Sequence, residues 1–155
     1  MSTPDGPYSR ATEKLADKQV TIAYRGKPCF VCGYTSGTCA HHIIPRNRKI
    51  YRHDPRNLIA LCPGHHKGFY RAGEPLRIAP HSADYMDVED FKLWFEINDP
   101  ERFAWLDERR HETGKSNHQE WYEFWKAVNE KDETYKWTCK QLGLKHPFRE
   151  IDDGG

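Results

Sequence analysis

A chain of 155 residues and 18.2 kDa is sized for one compact domain, or for one small domain with a substantial appendage. Charged residues make up 30% and hydrophobic ones 37%, and uncharged apolar runs such as 58–62 are far too short to cross a bilayer, so a membrane-spanning protein is excluded. The net charge of +1 is a cancellation: residues 1–77 hold 13 Lys and Arg against 5 Asp and Glu, and residues 78–155 hold 11 against 18. A half at +8 beside a half at −7 points the first at a polyanion and the second elsewhere.

The opening MSTPDGPYSR lacks the apolar segment of a secretory signal, so the chain is expected to be made and kept in a reducing, cytoplasmic setting. The five cysteines then read as thiols or metal ligands rather than a disulfide framework. A loose arm leads to a helix over 11–24, and the two together form a first unit, 1–27, to which no chemistry is assigned. Residues 28–77 are dense in Cys, His, Gly and Pro, with β-like runs at 38–44 and 58–61 and a helix start at 63–70. From 78 onward the chain is acidic and Trp-rich. Apolar residues at helical spacing predict helices around 91–97 and 103–106, with Asp99-Pro100 as a cap and Gly114 as a stop. A third helix follows Asn117, whose pairing with Glu120 suits a cap, and residues after Gly143 read as a tail. The fold expected is α+β: a small zinc-stabilised core with an N-terminal helix and a C-terminal helical appendage.

Cys29-x2-Cys32 is followed after 29 residues by Cys62-x2-His65. Three thiolates and one imidazole in two tight pairs form a zinc-knuckle pattern, because soft sulfur and nitrogen donors in a tetrahedron suit Zn²⁺. His41, His42 and His66 crowd the same segment without being needed for that site. Alternation along a strand sends His41 and His42 to opposite faces, so they are expected to play different roles.

These residues resemble the HNH, or ββα-metal, endonucleases. The resemblance rests on the paired zinc ligands, on AHHIIPR from Ala40, NLIALC from Asn57 and HHK from His65, with His42, Asn57 and His66 spaced 15 and 9 apart. It implies that His42 is the general base, that His41 and His66 ligate a catalytic divalent ion, and that Asn57 braces the loop between the strands. Phosphodiester hydrolysis needs such parts: water must be deprotonated near neutral pH, and the charge of the phosphate and of the leaving oxygen must be stabilised. The family more often has Asp where His41 stands and Cys where His65 stands. A His/His pair holds its ion by borderline donors rather than by charge, so Mn²⁺, Co²⁺ or Ni²⁺ are expected to serve at least as well as Mg²⁺. His65 and His66 could also exchange roles, although Cys62-x2-His65 has the better zinc spacing.

Between His42 and Asn57 lie Arg46, Arg48, Lys49, Arg52 and Arg56, and Lys67 follows His66; these six are expected to line the path of a phosphate backbone. His53, His81, His111, His118 and His146 read as ordinary histidines, and Cys39 and Cys139 as buried thiols. The tryptophans, all beyond 93, read as core or partner-interface residues rather than base-stacking platforms. The layout of an HNH motif with acidic helices is also similar to small phage-encoded HNH proteins, including recombination endonucleases that act on branched DNA. The expected function is therefore a metal-dependent DNA endonuclease acting on duplex or branched DNA, with a structural Zn²⁺ and a protein partner on the acidic helices. The alternative is a zinc-stabilised, non-catalytic DNA-binding or assembly module.

Overall fold

The computed structural model describes residues 6–30, 32–44, 46, 49–63 and 89–148, excepting the side chains of 89–92 and 94. Helix α1, Arg10–Tyr24, starts where the Ser9 hydroxyl accepts the Thr12 amide at 3.1 Å and stops at extended Arg25. Its inward stripe is Ala16, Val20, Ala23 and Tyr24. Strand β1, Cys39–His42, pairs antiparallel with β2, Leu58–Leu61, in the register Cys39 to Leu61, Ala40 to Ala60, His41 to Ile59 and His42 to Leu58. Two short 3₁₀ turns, Lys49–Tyr51 and Pro55–Asn57, fill the connection.

Helix α2, Glu89–Asn98, runs into α3, Pro100–Arg109, whose cap is Asp99 followed by the first-turn proline. Helix α4, His118–Glu130, begins where the Asn117 side chain accepts the Glu120 amide at 3.1 Å. A short helix α5, Tyr135–Gln141, follows the left-handed Lys131. Two expectations need correction. Helix α3 ends at Arg109, before the anticipated stop at Gly114, which instead sits at φ +151 against Ile50 in the following loop. Helix α5 was not anticipated at all; it has no side-chain cap and among its residues only Cys139 is buried. The helix expected from 63 to 70 lies, beyond Pro63, outside the described residues.

The chain is thus α+β, and the hairpin is the partition between two cores. On one face Ile59 and Leu61 pack with Cys29, Cys62, Ile43, Tyr51 and, from α2 and α3, Phe95, Phe103 and Leu106. On the other, Leu58 and Ala60 pack with Val20, Ala23 and Tyr24 of α1 and with Phe124, Trp125, Cys139 and Phe148. Period-two alternation in β2 supplies both cores from four residues, which is why its burial is continuous. Polar ties fix the helices to the hairpin: the Arg102 guanidinium donates to the Leu58 carbonyl at 2.9 Å, and the Trp125 indole donates to the His53 carbonyl at 2.8 Å. No helix among the described residues is long and apolar enough to cross a membrane.

Candidate functional site

The sulfurs of Cys29, Cys32 and Cys62 all lie within 4.8 Å of one another. The first two sit on a turn closed by the Gly33 amide donating to the Cys29 carbonyl, with Gly33 at φ +77, a left-handed backbone that glycine adopts without strain. The Phe30 amide donates to the Ala60 carbonyl at 2.8 Å and so docks this turn onto β2, just before Cys62. Cys32 and Cys62 are 3.8 Å apart. A tetrahedron with metal–sulfur bonds of about 2.3 Å has edges of about 3.8 Å, so the donor set fits a zinc-like ion. Burial, together with the neighbouring sulfurs of Cys29 and Cys62, pushes the Cys32 thiol up to about 11. Three thiolates this close therefore call for a cation among them. The fourth expected ligand, His65, lies outside the described residues, as do His66, Lys67 and Arg48.

His41 and His42 end β1 on opposite faces. His41 is buried, on the face of Ile59 and Leu61; His42 is half-buried, on the face of Leu58 and α1. Burial, reinforced by the positive charges of Arg46 and Arg52, pushes the His42 imidazole down to about 3, leaving it neutral at pH 7 but a weak base in the free protein. Asn57, 0% exposed, lies just beyond the loop that follows His42. Its Nδ2 donates to the carbonyls of Ile44 and Tyr51, each at 3.1 Å, while its Oδ1 accepts the Ile44 amide. Its own backbone carbonyl accepts the Ile43 amide at 2.9 Å. One side chain thereby ties both ends of the 44–51 loop to the start of β2, and the anchored end is two residues from His42.

Residues 29–72 match the family model described as HNH endonuclease. The match covers 44 of the 155 residues, so it is this segment that is similar to the family. No curated protein and no solved structure matches the chain. The match supports a nuclease in general, with DNA as the substrate class the family implies and a metal ion within reach of the three cysteines.

Around the HNH hairpin the loop cations have partners of their own. Arg52 forms a two-pronged pair with Asp17 of α1, at 2.9 and 2.7 Å, and Lys49 meets Glu13 of α1 at 3.0 Å. Arg56 clasps Asp54 through two bonds, 3.0 and 2.7 Å, and lies 4.1 Å over the Trp105 ring. Of the cations expected to meet phosphate, Arg46 is exposed, Lys49 is exposed yet paired, and Arg52 and Arg56 are largely covered.

Two histidines set aside as ordinary complete this network. His53 is 0% exposed and its Nε2 lies 2.7 Å from Asp17; His118 is buried, 3.5 Å from Glu13, with its ring 5.4 Å from that of His53. Burial pushes the Asp17 carboxyl up, but hydrogen bonds from His53 and Arg52 outweigh it and hold the group below the usual carboxylate range. The sequence did carry a signal for this network. Glu13 and Asp17 are four apart on the side of α1 that also bears Ala16, Val20 and Tyr24, and a carboxylate on an inward stripe demands a buried counter-charge.

Proposed function

We propose that this protein is a metal-dependent DNA endonuclease of the HNH type, hydrolysing phosphodiester bonds so as to nick or cut DNA with His42 as the general base. The observation that carries the reading is that the HNH match falls on a hairpin in which Asn57 pins the loop leaving His42. His42 accepts a proton from the attacking water, for which a neutral imidazole is needed. An anionic phosphate beside it raises its proton affinity from the low value of the free protein. His41 and His66 hold a divalent ion, which supplies charge neutralisation at the phosphate when bound. Because His41 and His42 leave opposite faces of β1, both serve one phosphate only if it lies against the strand's end, where His42 is the last residue. Products with 5′-phosphate and 3′-hydroxyl ends accord with the family resemblance.

Cys29, Cys32, Cys62 and His65 hold a structural Zn²⁺ in this reading, and Mn²⁺, Co²⁺ or Ni²⁺ support cleavage at least as well as Mg²⁺ because both catalytic ligands are imidazoles. The acidic, helix-rich half is consistent with a phage-type enzyme acting on branched as well as duplex DNA. The decisive assay presents supercoiled, linear, flapped and four-way DNA with a panel of divalent ions. Cleavage is expected, and His42→Ala should lower its rate by at least two orders of magnitude while the far-ultraviolet spectrum and DNA affinity are retained. A variant that cuts normally removes His42 from the role of base. A wild-type protein that cuts none of the substrates and holds one tight zinc is a DNA-binding or assembly module instead.

A further inference from the structure

Helix α1 sorts its charges by face. Both of its carboxylates, Glu13 and Asp17, turn to the loop and pair with Lys49, Arg52, His53 and His118. Its cations turn away: Arg10, Lys14, Lys18 and, at the C-cap, Arg25 are all exposed, and none has an acidic partner among the described residues. At 100° per residue these four, with Thr21 between Lys18 and Arg25, fall within about 80° of the helix circumference. They run over about 22 Å, a length that faces about six phosphates of one strand measured along a duplex axis. Helix α1 packs against β1, the strand that ends at His42. Asp17 lies at the stripe's edge, bound to Arg52, and His42 feels the charges of Arg46, Arg52, His53 and Asp17.

We propose that the outward stripe of α1, Arg10, Lys14, Lys18 and Arg25, is the surface that tracks the phosphate backbone of a DNA duplex and sets it beside His42. This rests on the reading of the protein as a DNA endonuclease and gives the positioning role to a helix to which the sequence assigned no chemistry. The loop cations expected in that role are drawn inward by Glu13 and Asp17. By compensating both carboxylates they leave the outer face of α1 uniformly positive. Four exposed cations at this spacing supply the electrostatic, sequence-independent share of binding to the phosphate backbone. Leu15 and Ile22 are the large apolar residues exposed on the helix, and with Ala11 they lie on one flank. That is too little apolar area for an interfacial membrane helix, whose apolar face must be buried.

The test measures anisotropy of a labelled duplex of about 30 base pairs with the full chain, in buffer without added divalent ion, across a salt series. The combined variant Arg10→Gln, Lys14→Gln, Lys18→Gln, Arg25→Gln keeps residues tolerated in helices. It is expected to flatten the slope of log affinity against log salt by about one per cation removed, and to weaken binding at least tenfold at low salt. The far-ultraviolet spectrum and unfolding temperature verify its fold. The control Lys126→Gln, Lys140→Gln removes exposed cations elsewhere and is expected to keep the wild-type slope. If wild type binds and the stripe variant binds with the same slope, the stripe is not the DNA surface, while the endonuclease reading stands. If wild type does not bind duplex at all, the stripe assignment falls, while the endonuclease reading is decided by the cleavage assay. An equal loss in the control reduces the effect to net charge and overturns the assignment. So does a stripe variant that loses binding to phosphatidylserine vesicles but not to DNA.

Discussion

The two faces of the HNH hairpin are stabilised by different means. The face of Cys39 and His41 meets α2 and α3 through apolar residues and ends on three crowded sulfurs. The face of Ala40 and His42 meets α1 and α4 through a wall of aromatic rings, edged by a buried set of paired charges. The contrast separates two dependences. The cysteine face could hold an ion, and thiols that repel one another as anions contribute little cohesion without one. On the α1 face the chain's own groups supply the counter-charges, since each carboxylate there already has its cation.

The largest effect should come from breaking the first face. Structural zinc contributes on the order of 10 kcal/mol in zinc-finger peptides, comparable to the whole stability of a domain at about 5–15 kcal/mol. Cys62→Ser, or a strong chelator on the wild type, is therefore expected to unfold the region around Phe95 and Leu61, read as lost zinc by mass spectrometry and a melting transition lower by tens of degrees. A chelated protein that melts as before would show that the sulfurs hold no stabilising ion.

The second face should yield less to any one change. Trp125 is fully buried, 5.4 Å from the Tyr24 ring and 4.9 Å from Phe124, and its indole satisfies the His53 carbonyl. Trp125→Ala should cost about 3–5 kcal/mol in denaturant unfolding, with zinc content unchanged. Trp125→Phe keeps most of the packing and should cost about 1–2 kcal/mol for the stranded carbonyl. Loss of zinc in either variant would mean that the faces are not independent.

The sequence made legible what is local or governed by spacing. Asp99 with Pro100 and Asn117 with Glu120 mark helix starts because capping is a contact between residues close in the chain, and the short apolar run 58–61 between polar Asn57 and Pro63-Gly64 marks β2 because a strand buried on both faces is continuously apolar. The approach of Cys29 to Cys32 is legible for the same reason: a Cys-x2-Cys turn is short. What escaped depends on contacts across the fold. Nothing near Arg52 in the chain tells it to face Asp17, 35 residues earlier, so loop cations read as open to solvent when two carboxylates of α1 already hold them. Helix α5 escaped because a seven-residue element with one buried side chain has no stripe to read. His53 and His118, polar and isolated in sequence, read as ordinary histidines, because their burial comes from the packing of α1 against α4.

The smallest effect sharpens the contrast from the charged side. Burial, reinforced by the nearby His53, pushes the His118 imidazole below its ordinary range, against the opposing pull of Glu13. In the unfolded chain the same group titrates near 6.5, so as the pH drops below that value the unfolded state takes up a proton that the folded state resists. His118 therefore contributes stability that is present above about pH 6.5 and is lost as the pH falls toward its depressed folded value. Protonation of the clustered cysteines and of His42 also acts on the protein in acid, but equally in a His118→Gln variant, so the difference between the two proteins isolates His118. Between pH 7 and pH 5 the wild type should lose more of its melting temperature than the variant does. A difference that stays constant across that window would mean that His118 is not held neutral by its surroundings, and that the charges edging the α1 face are not closed to solvent.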